Sequence, residues 1–289
     1  MQSQKQFKRR FSFEFFPPKT DQGKEKLQNV RNQLAEVNPD FFSVTFGAGG
    51  STRDRTIETV LNLHSQGIST APHLSCVGGT RQEIGELLDL YREHGINRIV
   101  ALRGDMPSGM GAAGELRYAN ELVEFIREHS GDTFNLEVAA YPEFHPQARN
   151  AEEDLKNFAR KVQAGANSAI TQYFFNADSY FYFIDRLEKM GVTIPVVPGI
   201  MPIVNFSNLV RFSDMCGAEI PRWIRKQLEA YGDDRESIRK FGEEVVTEMC
   251  EKLLAAGAPG LHFYTLNQVE PSISIWKNLG ISEREKIAF

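Results

Sequence analysis

The residues of this chain best suited to chemistry stand at the ends of apolar runs. Arg98-Ile99-Val100-Ala101-Leu102 stops abruptly at Arg103-Gly104-Asp105. A short apolar run closed by a glycine turn predicts a buried strand of a parallel sheet. Ligands of parallel α/β proteins bind at the carboxyl ends of such strands. Glu14, Thr45, His73, Tyr141 with Glu143 and His145, Gln172, Asn205 and Tyr264 take the same position after other apolar runs. Taken singly, each has a plainer reading as a strand-end salt bridge or solvated turn. Glu14 stands apart because it lies between Phe13 and Phe15-Phe16. A carboxyl group in apolar surroundings has a raised pKa and serves as a general acid near neutral pH. A carboxylate that caps a backbone turn is the structural alternative.

Other chemistries fit less well. His73, Asp105, Glu143 and His145 have the donor types for zinc or manganese, but no close His-x-His or His-x-x-x-His pair accompanies them. Lys161 has the chemistry of a Schiff-base lysine, yet it follows Asn157 and Arg160 in a helical pattern, where a phosphate contact or a solvated face fits better. Gly109 to Gly114 matches the G-x-G-x-x-G string of dinucleotide folds, but Pro107 and Ser108 separate it from the strand and no acid follows at the required distance. It reads as a loop over the site.

Apolar runs alternate with helical patterns along the whole chain. Strands are predicted over Phe11–Phe15, Phe41–Phe46 (closed by Gly47-Ala48-Gly49-Gly50), Ala71–Cys76, Arg98–Leu102, Leu136–Ala140, Ser168–Tyr173, Ile194–Ile200 (broken by Pro195 and Pro198) and Leu261–Leu266. Helical spacing fills the intervals, as in Leu27, Val30, Leu34 and Val37, or Ile84, Leu87, Leu88 and Tyr91. An extra charged helical insertion, Pro221 to Leu254, precedes the last strand, and Val269 to Leu279 forms a final helix. Eight strand–helix units of about 35 residues predict an α/β fold, most simply a (β/α)8 TIM barrel in a single domain over residues 1–289. Element counting leaves a doubly wound open sheet as the alternative.

Composition narrows the class. A net charge of -5 over 289 residues gives no electrostatic footprint for nucleic acid. No signal peptide or membrane-length apolar stretch is visible, and Cys76, Cys216 and Cys250 are too scattered for a disulfide framework. A cytoplasmic protein is expected.

Seven segments, taken together and in order, closely resemble the methylenetetrahydrofolate reductase family in its bacterial form. They are Phe13-Glu14-Phe15-Phe16-Pro17-Pro18, Ser43-Val44-Thr45-Phe46-Gly47-Ala48, Ala71-Pro72-His73-Leu74-Ser75-Cys76, Val100-Ala101-Leu102-Arg103-Gly104-Asp105, Ala139-Ala140-Tyr141-Pro142-Glu143, Ala169-Ile170-Thr171-Gln172-Tyr173-Phe174-Phe175 and His262-Phe263-Tyr264-Thr265-Leu266-Asn267. The resemblance implies a (β/α)8 barrel with non-covalent FAD. It implies that NAD(P)H, with NADH favoured, and 5,10-methylenetetrahydrofolate use one shared site in turn, by ping-pong hydride transfer. The product would be 5-methyltetrahydrofolate, which feeds methionine synthesis. Glu14 matches the family's glutamate that protonates a folate nitrogen, and Asp105 the aspartate facing pterin and flavin, where its charge would stabilise a cationic intermediate.

For the cofactor, the resemblance points to Thr45, His73, Leu102, Arg103, Gly104, Asp105, Tyr118, Ala140, Tyr141, His145, Asp154, Asn157, Arg160 and Lys161. For the substrate, it points to Glu14, Gln172, Phe212, Tyr264, Leu266 and Asn208, the last standing where a glutamine is found in enterobacterial members. No metal is implied. A homo-oligomer, with a tetramer expected, and no inhibition by S-adenosylmethionine complete the implied picture. The rival readings are a metal-dependent TIM-barrel lyase or hydrolase built on His73 and Glu143, and a flavin- or folate-binding protein without turnover.

Overall fold

The computed structural model describes residues 1–46, 52–104 and 114–281. Asp105, the glycine string from Gly109 to Ala113 and the Gly47–Gly50 turn lie outside the described residues. The strands are β1 (Arg10–Phe15), β2 (Phe41–Val44), β3 (Thr70–Ser75), β4 (Arg98–Leu102), β5 (Asn135–Ala140), β6 (Ser168–Thr171), β7 (Val196–Val197), β8 (Gly199–Ile200) and β9 (Gly260–Tyr264). The helices are α1 (Asp21–Ala35), α2 (Arg53–Ser65), α3 (Arg81–Glu93), α4 (Ala119–Ser130), α5 (Ala151–Gln163), α6 (Ala177–Lys189), α7 (Phe206–Cys216), α8 (Arg222–Tyr231), α9 (Arg235–Ala256) and α10 (Ser272–Asn278).

All strand pairings are parallel, in the order β7-β6-β5-β4-β3-β2-β1-β9-β8. β7 and β8 are the two ends of that order, yet only Pro198 separates them in the chain. The sheet therefore closes on itself and the doubly wound alternative falls. The expected strand Ile194–Ile200 becomes two pieces because proline offers no N–H to a ladder. β7 pairs with β6, and β8 with β9.

Period-two alternation sorts the residues of each strand between two cores. On β1, Phe11 and Phe13 face outward and pack on Trp276 of α10 at 5.3 and 5.2 Å, while Phe15 stacks on Phe42 at 5.0 Å. The intervening Ser12 and Glu14 face the barrel axis. Inside, Phe41, Ala71, Val100 and Ile170 form one apolar layer. Below it Arg98 pairs with Glu137, which also accepts from Ser168. The Arg98 guanidinium sits 4.7 Å from the centre of the Phe41 ring. The apolar layer thus isolates this buried pair from the polar groups at the other end.

The stretch expected as a single helical insertion before the last strand is divided at Gly232, which adopts φ 55°, and the Asp234 side chain caps the second of the two helices. That second helix, α9, contacts both α6 and α10, so it is a member of the outer ring. The helices additional to the eight-fold repeat are α7 and α8. No helix among the described residues is long and apolar enough to cross a membrane.

Candidate active site

Glu14 is the centre of the barrel mouth. Its register neighbours are Ser43 on β2 and Tyr264 on β9. Its Oε2 lies 3.2 Å from His73 Nε2 and 3.3 Å from His262 Nε2, and it accepts a 3.4 Å hydrogen bond from Ser43. The His73 nitrogen is at ion-pair distance but off the line of a hydrogen bond, and so has no formal partner. His262 is directed better: its Nδ1 meets Ser12 Oγ at 2.7 Å, leaving Nε2 for the carboxylate at 3.3 Å. A Ser12–His262–Glu14 relay thus runs through the barrel interior, every member buried. Thr265 Oγ1 donates to the Glu14 carbonyl at 2.6 Å, and Asn267 clamps Phe16 N and O at 2.8 and 2.9 Å. Glu14 is therefore fixed through both its main chain and its side chain.

The expectation of a raised Glu14 pKa is corrected. Burial acts to raise it, but the two imidazoles more than offset burial and hold the carboxyl down to about 2. Of the aromatic neighbours that suggested an apolar setting, Phe13 and Phe15 face the outer core and Phe16 is exposed. The carboxyl group is therefore ionised near neutral pH.

A second group follows the rim from β4 to α5. Arg103 Nη2 donates to Gln147 at 2.6 Å, Gln147 N to His145 Nδ1 at 3.0 Å, and His145 N to Asp154 at 2.9 Å. Tyr141 packs edge-on against His145 at 4.5 Å. Lys161 donates to the Ala139 carbonyl and lies 5.4 Å from the centre of the Phe158 ring. Burial pushes its pKa down to about 8, partly offset by Asp154, whose own pKa burial raises. Arg160 pairs with Glu153 and Asn157 on the outer side of α5. Tyr118 is exposed at the N-cap of α4. Leu102 packs against the inner apolar layer, Ala140 is buried and accepts from Gln172 N at 2.7 Å, and Thr45 accepts from Thr56 at 2.9 Å.

Gly104 lies where the rim approaches β3 most closely. Its φ is 83°, and a Cβ there would come within 1.8 Å of Ser75 Oγ, which donates to the Arg103 carbonyl at 2.8 Å. Gly104→Ala therefore meets both an unfavourable backbone and a clash. A loss of about 2–4 kcal/mol is expected from the two together. Thermal unfolding of the variant measures it, and an unchanged midpoint would contradict this geometry.

The third group is the C-terminal end of α7, where Ser213 meets Tyr173, and Cys216 and Gly217 lie beside Gln172 and Tyr173; Asn208 is exposed and Phe212 half-buried on the same helix. Tyr264 bridges toward it: its OH donates to Thr171 O at 2.7 Å, and its ring meets His262 at 5.4 Å and Tyr173 at 6.5 Å. Leu266 adopts φ 53° just beyond β9. The structure therefore gathers Glu14, His73 and Tyr264 at the centre, Arg103, Tyr141, His145, Asp154 and Lys161 on one rim, and Gln172 beside the end of α7 on the other; Asn208 and Phe212 are carried by that helix.

Sequence reasoning assigned no role to Ser12, Ser43, His262 or Gln147. For His262 a signal existed, since it lies two residues before Tyr264 on one strand and must share its face. Of the candidate metal ligands Asp105 lies outside the described residues, and the other three are engaged separately: His73 faces Glu14, His145 N donates to Asp154, and Glu143 accepts from Glu219 N at 2.8 Å. Among the described residues, no three His, Cys, Asp or Glu side chains converge as metal ligands would.

A closed parallel barrel carrying a buried acid–imidazole network at the carboxyl ends of its strands defines a (β/α)8 protein with an enzyme-type mouth. The family model for methylenetetrahydrofolate reductase matches residues 1–280, and the chain belongs to that family. It is 41% identical over 271 residues to the 5,10-methylenetetrahydrofolate reductase of Escherichia coli K12, covering 93% of this chain and 90% of that one. It is 38% identical over 292 residues to "Methylenetetrahydrofolate reductase (NADH) 1" of Zea mays, covering 96% of this chain and 49% of that protein. Among solved structures, a Clostridium thermocellum protein described as binding two copies of 5-methyl-5,6,7,8-tetrahydrofolic acid superposes with a TM-score of 0.66 at 17% identity, over 97% of this chain and 95% of that one. At that identity the likeness is one of fold.

Proposed function

We propose that this protein is a flavin-dependent reductase that transfers hydride from NAD(P)H, with NADH favoured, through FAD to 5,10-methylenetetrahydrofolate. Membership of the family supports the overall reaction, and the name of the Zea mays relative supports NADH. The observation that carries the mechanism is the buried Glu14 carboxylate held between two imidazoles.

The rim fits FAD chemically. Arg103 and the buried Lys161 ammonium can answer a pyrophosphate, with Arg160, next in sequence on the outer side of α5, a further cation of that helix, and Asp154 and Asn157 can bond ribose or ribityl hydroxyls. Thr45, His73, Leu102, Gly104, Tyr118, Ala140, Tyr141 and His145 would line the remainder. Bound FAD would supply a two-electron carrier able to accept and return a hydride. Gln172, Asn208, Phe212, Tyr264 and Leu266 would bind and orient whichever ligand occupies the shared site. Glu14 would deliver the proton that opens the folate ring. Because its pKa is low, Glu14 would be ionised at rest, so the proton would have to reach Oε2 before it passes to the substrate. Asp105, next to Gly104 in sequence, would oppose positive charge on the substrate. The protein would act in the cytoplasm as a homo-oligomer, with a tetramer expected.

The test is a visible spectrum of the purified protein, followed by anaerobic NADH and then methylenetetrahydrofolate. A flavin spectrum that bleaches and then returns is expected. A colourless protein that takes up no added FAD would overturn the reading.

A further inference from the structure

The helix that presents Asn208 and Phe212 rests on a narrow seat. Of the eleven residues of α7 only Leu209 and Ser213 are buried. They are four positions apart and lie one above the other. Asn208 and Phe212 each precede one of them, so they form the next stripe, about 100° around the helix. The rotation of α7 about its axis therefore decides which way these two side chains face.

Leu209 cannot fix that rotation, because apolar contact is non-directional. The directional contact is Ser213 Oγ with Tyr173 OH, at 3.0 Å and buried. Tyr173 itself is anchored in the floor of the site. Its N–H donates to Gln172 Oε1 at 3.0 Å, and its ring packs edge-on to Tyr264 at 6.5 Å. Beyond α7 the chain turns at Gly217, with φ 75°, and Glu219 N then donates to Glu143 Oε2 at 2.8 Å. Glu143 leaves β5 two residues after Tyr141. One hydroxyl pair on the seat and one carboxylate behind the helix thus tie α7 to the strand ends.

We propose that Tyr173 and Glu143 are positioning residues that latch α7 in a single rotation and so set the affinity of the site for the ligand packed on Phe212. The identity of that ligand rests on the function proposed above, while the latch is a property of the chain alone.

Tyr173→Phe removes one oxygen and should fold. The KM values for the folate and for the nicotinamide are expected to rise about three- to tenfold, the span of one neutral hydrogen bond, with kcat within about twofold. Ser213→Ala should show a smaller rise, since the Tyr173 hydroxyl also meets Cys216, and the double variant should be no worse than Tyr173→Phe alone. Glu143→Ala should raise KM, and Glu143→Gln, which keeps an acceptor, should restore it. Amide hydrogen exchange of the purified protein without substrate gives a reading independent of turnover. Residues 206–219 should exchange at least about threefold faster in Tyr173→Phe, with the strands unchanged.

Unchanged exchange and unchanged KM in Tyr173→Phe would remove the latch, as would additive losses in the double variant or equal defects in Glu143→Gln and Glu143→Ala. Faster exchange in a protein whose wild type turns over no folate would uphold the latch and defeat the proposed reaction. Unchanged exchange beside normal wild-type turnover would do the reverse.

Discussion

Glu14→Gln is expected to leave flavin reduction by the nicotinamide within about twofold of wild type and to lower folate reduction by about 10²- to 10⁴-fold, the range of general acid catalysis. Hydride transfer to the flavin needs no proton from the protein, whereas opening the folate ring does. Gln keeps the size of Glu14 and can still accept from His262 and Ser43, but it cannot carry a proton to the substrate. Anaerobic stopped-flow measurement of the two half-reactions separates the effects. Survival of both would remove Glu14 from the chemistry, and loss of both would indicate a collapsed mouth. The same carboxylate also makes the protein acid-sensitive. Its pKa is depressed from 4.5 to about 2, so its stabilising contribution is complete above about pH 4.5 and is lost as pH falls toward 2. Glu14→Gln should flatten that part of the stability profile.

Lys161→Met is expected to weaken FAD binding by about 10- to 100-fold, the worth of one or two charge-assisted hydrogen bonds. Wild-type affinity should itself depend on pH. The free lysine has its pKa lowered from 10.5 to about 8, and a pyrophosphate would raise it. Above about pH 8, binding must therefore take up a proton, and the affinity falls by up to about tenfold per pH unit. Flavin fluorescence titrations from pH 7 to pH 9.5 track this fall, and Lys161→Met should lose the dependence. The sign for apo-protein stability is opposite. Between about pH 8 and pH 10.5 the unfolded chain holds a proton that the folded one has released, so stability rises with pH across that window. A fall in wild type over the same window would contradict the burial of this ammonium.

Glu14 shows what the sequence could carry and what it could not. Its place at a strand end was legible, because Phe11, Phe13 and Phe15 alternate with Ser12 and Glu14 over a six-residue strand. Its electrostatics were not, because that same alternation turns the neighbouring phenylalanines away from it. The groups that set its charge come from β3 and β9, and His262 is 248 residues distant along the chain. The barrel's strand–helix rhythm could be read from apolar spacing, since each unit is a local pattern. The role of α9 could not, because a charged helix reads alike whether it joins the outer ring or stands outside it. Membership of the ring is decided by its contacts with α6 and α10. At the rim, Arg103 and Lys161 were visible as charges, but Gln147, which joins Arg103 to His145, is a loop residue with no periodicity to announce it.

The pairing of β1 with β9 has a consequence for synthesis. Glu14 leaves the ribosome roughly 250 residues before His262 and Tyr264, tens of seconds at ordinary elongation rates. Throughout that interval the carboxylate has neither the relay to Ser12 nor the clamp from Thr265 and Asn267. The barrel cannot close, and its first strand offers an open edge to any strand nearby. A nascent chain stalled before β9 would thus carry most of the rim and His73 but not His262 or Tyr264, so the surroundings of Glu14 are completed only when β9 is made.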